Sequence, residues 1–278
     1  MESWHLLGIF LMSIVAGTFG SILGLGGGII VVPALTLLFG YDYRTAVAAS
    51  AVSIIATSSG AAISYLKQRV TNTRIAMLLE VGTTAGALVG AMVAAYLPTR
   101  VLFWIFAVLM LYMAYSMFQA RKQELPPPVE PDRISRTLRL EGSYYDQALK
   151  RQVDYRVART TPAFGVMFIS GGLSALLGIG GGTFKVLAMD QIMKLPYKVS
   201  TATSNFMIGV TAATSALVYF LRGDVNPIVA TPVALGVLAG AQIGSKLMMK
   251  MKVRTMRLLF IPVLIYTAIQ MVMKGVAG

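Results

Sequence analysis

Two short glycine runs are the residues best able to meet a ligand through the backbone. Gly24, Gly26, Gly27 and Gly28 lie in GLGGG, and Gly178, Gly180, Gly181 and Gly182 lie in GIGGG. A helix that starts just after such a run presents N–H groups with no intrahelical partner, and these, with the helix dipole, favour an anion. Lys185 follows Gly182 by three residues, and an ammonium inside an apolar segment is costly enough to point to function. Two roles are open to it: contact with an anion at the glycine run, or a plainer one, snorkelling to a watery vestibule or pairing with Asp190. Polar runs come next, with Ser50, Ser53, Thr57, Ser58 and Ser59 in one region and Ser200, Thr201, Thr203, Ser204 and Asn205 in another. Ser50, Ser204 and Asn205 stand nearest the glycine pattern. Their hydroxyl and amide donors suit an oxyanion without a fixed charge, so release stays easy; hydrogen bonding between helices is the alternative. Glu80, inside its own apolar segment, is either a proton site or the partner of a basic residue.

The elements that hold these residues are membrane helices. Of 278 residues 56% are hydrophobic and 13% charged, with a mean hydropathy of +0.71. Soluble domains carry about a quarter charged residues, so a water-soluble fold is excluded. Apolar segments run over 4–39, 45–66, 75–97 and 101–119, and again over 162–193, 199–221, 227–249 and 255–274. Each is long enough for a hydrocarbon core of roughly 30 Å. The net charge of +13 comes mainly from Lys and Arg flanking these segments, the placement membrane insertion produces, so nucleic acid is not an expected partner. With no cysteine, disulfides and thiolate sites are excluded, and no cofactor is expected. His5, the single histidine, sits beside Trp4 as an interfacial anchor. The N-terminus lacks the basic start of a cleaved signal peptide, so the first segment is expected to stay.

Shifting the sequence by 154 aligns the two sets of segments. All four glycines of the first run fall on those of the second, Tyr43 on Tyr197, Ser50 on Ser204, Tyr65 on Tyr219, Asn72 on Asn226 and Arg100 on Arg254. Gly82, Gly86 and Gly90 fall on Gly236, Gly240 and Gly244, ladders that let helices approach closely. Shared hydrophobicity does not explain matched polar positions, so the chain is a duplication, with repeats at 1–120 and 161–278 around an insertion at 121–160. The insertion holds Pro126 to Pro128, nine basic and six acidic residues. Leu138, Leu140, Val153, Tyr155 and Val157 alternate with polar residues, which predicts a small soluble β-hairpin, an amphipathic surface helix being the alternative.

The first segment of each repeat is too long for one ordinary helix. Four glycines in five residues cost a helix about 1 kcal/mol each relative to alanine, which predicts a hairpin of two half-helices with the glycines at its tip; a single long tilted helix is the alternative. Charge discriminates. The loop after the second segment carries Lys67, Arg69 and Arg74 in the first half but only Arg222 against Asp224 in the second, whereas the next loop holds Arg100 in one and Lys250, Lys252, Arg254 and Arg257 in the other. Basic residues mark the cytoplasmic side, so the halves insert in opposite directions, as a returning hairpin plus three spans requires. The expected fold is an all-α polytopic membrane protein with two inverted-topology repeats, each a glycine-tipped helical hairpin plus three transmembrane helices. A small cytoplasmic β-hairpin insertion lies between them, and both termini are outside. Inverted repeats with broken helices near the midplane are a design of secondary transporters.

GTFGSILGLGGGIIVVPAL (Gly17 to Leu35) and GGLSALLGIGGGTFKVL (Gly171 to Leu187), each followed by a Tyr-basic-x5-Ser run, resemble the TauE/SafE sulfite-exporter family. The resemblance implies a carrier in a prokaryotic plasma membrane for sulfite, thiosulfate or organosulfonates such as sulfoacetate. It departs from the paired pattern where Pro33 is matched by Leu187. The expected activity is export of a small anion by alternating access, coupled to protons or to the membrane potential, in a monomer or a homo-oligomer. A channel-like permease and a non-transporting scaffold acting through 121–160 are the alternatives. No enzymatic motif is present.

Overall fold

The computed structural model describes residues 3–93, 99–177 and 181–277. The first half contains α1 (Ser3–Leu23), α2 (Gly28–Leu37), α3 (Tyr43–Lys67), α4 (Thr73–Val93) and α5 (Thr99–Ala120). The insertion contains α6 (Arg133–Leu138), β1 (Gly142–Asp146) and β2 (Arg151–Tyr155). The second half contains α7 (Thr160–Leu177), α8 (Gly182–Leu187), α9 (Tyr197–Leu221), α10 (Pro227–Lys250) and α11 (Val253–Ala277), with α8 running on into a π-helical turn over Ala188–Ile192. Among the described residues, five helices are long and apolar enough to cross a membrane, in α1, α3, α9, α10 and α11. The duplication reaches the element boundaries: α3 and α9 start at Tyr43 and Tyr197, α4 and α10 at Thr73 and Pro227, α5 and α11 at Thr99 and Val253, each pair 154 apart.

The glycines break the first helix as their chemistry demands. Gly24, Gly26 and Gly27 have φ of 76°, 73° and 79°, a region costly for residues with a Cβ. α1 therefore ends at Leu23, and α2 returns along it until the His5 and Phe39 rings meet edge-on, centroids 5.4 Å apart. In the second half Gly181, at φ 60°, precedes α8. The return ends where Ala158 N–H donates to the Met193 carbonyl, beside the start of α7.

Small residues then bring the halves together crosswise. A Cβ on Gly236 would meet Phe10 and Ser13 of α1, one on Gly240 would meet Ile14 and Thr18, and one on Gly244 would meet Thr18 and Ser21. α10 thus runs beside α1 in the same direction. The equivalent seam joins α4 and α7, where Gly82 faces Phe164, Gly86 faces Phe168 and Gly171 faces Thr83. Each first helix is packed on the fourth helix of the other half, in matching register.

β1 and β2 form the expected antiparallel pair, Tyr144 opposite Val153. The alternation misassigned its edges, because Leu138 closes α6 and is exposed, Asp132 having capped that helix through the Ser135 N–H. Nor does the hairpin stand apart from the helices: Leu140, Tyr144, Val153 and Val157 are buried in the main apolar cluster. Asn72 Nδ2 donates to the Leu140 carbonyl and Arg74 to the Arg139 carbonyl, while Val253 N–H donates to Glu124. Lys198 Nζ, at the start of α9, donates to Asp146 Oδ1 at 2.8 Å and to the Met249 carbonyl at 3.0 Å, and both partners of the ion pair are 1% exposed. The insertion thereby ties the α3–α4 loop to α9 and the α10–α11 loop.

Burial opposes the charge on Asp146, but the hydrogen bond and charge of Lys198 outweigh it, helped by the Leu149 N–H and the Tyr144 hydroxyl, and hold the carboxyl below its ordinary 3.8. A carboxyl depressed in the folded state adds stability that is full above its unfolded pKa and lost as pH falls through the folded value. Asp146→Asn leaves a buried ammonium without a counter-charge and should lower stability by about 3–5 kcal/mol. Denaturation of detergent-solubilised protein should show this loss at neutral pH, and the variant should lack the acid-dependent step below 3.8.

Candidate functional site

The two helix breaks meet. A Cβ on Gly182 would fall 2.5 Å from the Gly24 carbonyl oxygen and 3.1 Å from the Leu25 Cα, so only hydrogen allows this approach. Gly24 faces Val186 and the Thr201 backbone, and Gly26 faces Ile54 and Ile208. Ile54 and Ile208 are equivalent positions of the two halves, so α3 and α9 cross over the junction symmetrically.

Carbonyls set free where α1 ends need donors, since no water serves them inside a membrane. Ser204 shares its hydroxyl proton between the Gly24 carbonyl at 2.9 Å and the Gly182 carbonyl at 3.3 Å, bridging both breaks. Asn205 Nδ2 donates to the Ser21 carbonyl at 2.8 Å and the Thr201 carbonyl at 3.1 Å, and Tyr65 donates to the same Ser21 carbonyl at 3.0 Å. The Ser58 hydroxyl donates to the Asn205 carbonyl, joining α3 to α9. Both residues singled out in the second polar run are therefore at the junction, each donating to backbone carbonyls.

Ser50 differs. It is 1% exposed, and its Oγ would lie 2.7 Å from a Cβ on Gly28, yet it has no partner among the described residues. Asn205 Oδ1 is likewise buried and unpartnered among them. Gly27 caps α2 and Gly28 opens it, so the N–H groups of Gly28 and Ile29 have no intrahelical acceptor. Gly181 and Gly182 stand equivalently at α8, while Gly178 and Gly180 lie outside the described residues.

Lys185 turns to a partner the sequence reading had not assigned to it. Its Nζ donates to Glu80 Oε2 at 3.0 Å and Thr211 Oγ1 at 2.7 Å, and the Thr211 hydroxyl donates to Glu80 Oε1 at 2.6 Å. The alternative pairing with Asp190 is not formed. The π-helical turn carries Asp190 to Arg257 Nη2 at 2.9 Å, with the guanidinium over the Tyr197 ring. Glu80 was visible as an ionisable group inside a helix; the missing signal was that α4 crosses to the other half. Gln242, which stands where the first half has Leu88, is exposed on α10. No group of three or more His, Cys, Asp or Glu side chains that could hold a metal occurs among the described residues.

The junction is a buried meeting of two broken helices whose carbonyls are held by neutral donors, with the paired Lys185 three residues beyond Gly182. A duplicated, multi-pass helical membrane protein with such a centre has the architecture of a transporter. The family model described as sulfite exporter TauE/SafE matches residues 9–271, and the chain belongs to that family. A Bacillus subtilis (strain 168) relative described as probable membrane transporter protein YunE is 27% identical over 276 residues, covering 96% of this chain and 97% of its own length. Another from the same organism, probable membrane transporter protein YdhB, is 24% identical over 242 residues, covering 87% and 88%. No solved structure matches.

The hydroxyls at the junction should separate by role. Ser204→Ala removes the donor to two buried carbonyls and should lower stability by about 1–3 kcal/mol. Ser50→Ala removes an unpartnered hydroxyl and should leave unfolding unchanged while weakening binding of a small anion. Denaturation and equilibrium anion binding on both variants check the contrast.

Proposed function

We propose that this membrane transporter exports small anions, sulfite or organosulfonates such as sulfoacetate, across a prokaryotic plasma membrane by alternating access. The observation that carries the reading is the contact of the two glycine breaks at Gly24 and Gly182 under the Ser204 hydroxyl. Gly24, Gly26, Gly27 and Gly28 with Ser50 form one wall of the substrate site. Gly181 and Gly182 with Lys185, Ser204 and Asn205 form the other, Gly178 and Gly180 lying outside the described residues. The Ser50 hydroxyl and the N–H groups at the start of α2 are neutral donors left for an oxyanion, and the negative interior favours its departure.

Inverted halves suit alternating access, and two clusters of contacts support the inversion. His5, Phe39, Tyr41 and Val225 gather at one end, and Asn72, the insertion, Met193, Lys198 and Met249 at the other. On this reading the first hairpin enters from the outer end and the second from the cytoplasmic end, with both termini outside and 121–160 in the cytoplasm.

Purified protein in proteoliposomes should carry labelled sulfite, sulfoacetate or thiosulfate; absence of flux for all of these and for other small anions would sink the transporter reading. Gly27→Leu, which forces a side chain onto φ 79°, should abolish flux while the protein still inserts. Single cysteines introduced at Asp224 and Lys150, in a chain with none of its own, should react from opposite faces of the membrane. Labelling of both from one face removes the inverted arrangement.

A further inference from the structure

The Lys185–Glu80–Thr211 cluster is built from three elements of both halves: Lys185 on α8, Thr211 on α9 and Glu80 on α4. Removing a charge pair to such a place has a large desolvation cost, and an apolar filling is commonly as stable or more so. The equivalent positions, Val31, Thr57 and Ala234, hold no ionisable group. The repeat therefore does not need an ion pair to hold its shape here. What distinguishes the pair is its place: Lys185 lies one turn beyond Gly182, which touches the opposite break.

We propose that Glu80 is a proton-binding site that loads together with the anion. The inference rests on the transporter reading above and names its coupling ion. With the site empty, the Glu80 carboxylate neutralises Lys185. When a proton adds to Glu80, forming the neutral acid, the ammonium keeps Thr211 but loses its counter-charge. An anion arriving at the junction restores it. Proton and anion thus bind together, neither stable in the site alone, so each transport step carries one proton in the direction of the anion, and a dianion such as thiosulfate still moves one net negative charge, which the negative interior drives outward. Glu80 keeps 13% of its side chain accessible and Lys185 none.

The surrounding ionisable groups leave this role to Glu80. α7 contributes none over Thr160–Leu177. On α9, Lys198 is held by Asp146, Tyr197 lies beneath Arg257, and Tyr219 stands two turns beyond Thr211. On α4 itself, Arg74 is bonded to the Arg139 carbonyl. Asp190, on the turn after α8, is engaged by Arg257 and Gln191.

The test uses proteoliposomes with the membrane potential clamped at zero and labelled sulfite, sulfoacetate and thiosulfate as probes. One proton per anion predicts accumulation of about tenfold for each unit of pH gradient, towards the alkaline compartment. Glu80→Gln should collapse that accumulation ratio to one, whatever rate remains. Flux in the native protein that ignores the pH gradient, or Glu80→Gln vesicles that still accumulate anion, would overturn the proposal while leaving the transporter reading intact. No flux of any probe overturns both. A second measurement needs no variant: thiosulfate bound by the native protein in weakly buffered detergent should take up one proton per anion, and binding without proton uptake overturns the coupling.

Discussion

Backbone that leaves a helix inside a membrane must find its hydrogen bonds in the protein. That requirement organises the centre of this molecule. At the first break the Gly20 carbonyl accepts from the Leu25 and Gly26 N–H groups, the Ser21 carbonyl from Tyr65 and Asn205, and the Gly24 carbonyl from Ser204. The donors come from α3 and α9, one from each half. Two helices that each follow a hairpin in sequence are thereby committed to cross at the hairpins' tips, and the polar runs inside them have a structural reason as well as a chemical one.

The second constraint is proximity. α1 and α10, like α4 and α7, approach until backbone meets backbone, which leaves glycine as the residue that fits. Dispersion between close-packed backbones and small residues is what holds helices together where lipid removes the hydrophobic drive. The seams join one half to the other, so neither half is complete without its partner. This makes the insertion more than a linker. It spans the join between the halves and buries its own apolar residues in their shared cluster, with Asp146 and Lys198 locking the contact.

Much of this was legible in the sequence because the responsible residues act locally or recur. Glycine runs break a helix wherever they stand, and the 154-residue offset carried each break, polar run and small-residue ladder into both halves. Local pattern also located the β-hairpin, although Leu138 was drawn into it when Asp132 capped a short helix instead. Partnerships were not legible. Lys185 and Glu80 are 105 positions apart, and Asp190 and Arg257 are 67 apart. Which cation meets which anion depends on the crossing of the halves, and spacing along the chain does not encode it. Ser204 and Asn205 were found for their donors, yet their carbonyl partners at a remote helix break are a property of the fold alone.

The ionic contacts mark where two related halves have ceased to be alike. α2, GIIVVPALTL, has no ionisable side chain and returns through apolar and backbone contacts. Its counterpart carries Lys185 on α8 and Asp190 on the π-helical turn, each paired with a helix outside the hairpin, α4 and α11 respectively. The first half has Val31 and Phe103 where the second has Lys185 and Arg257. Buried ion pairs contribute little net stability over apolar filling but are costly to break singly. The second hairpin is consequently the one whose displacement requires charges to be exchanged rather than surfaces to slide. The paired charges carried by the hairpins thus belong to one of them, while its twin is held by apolar and backbone contacts.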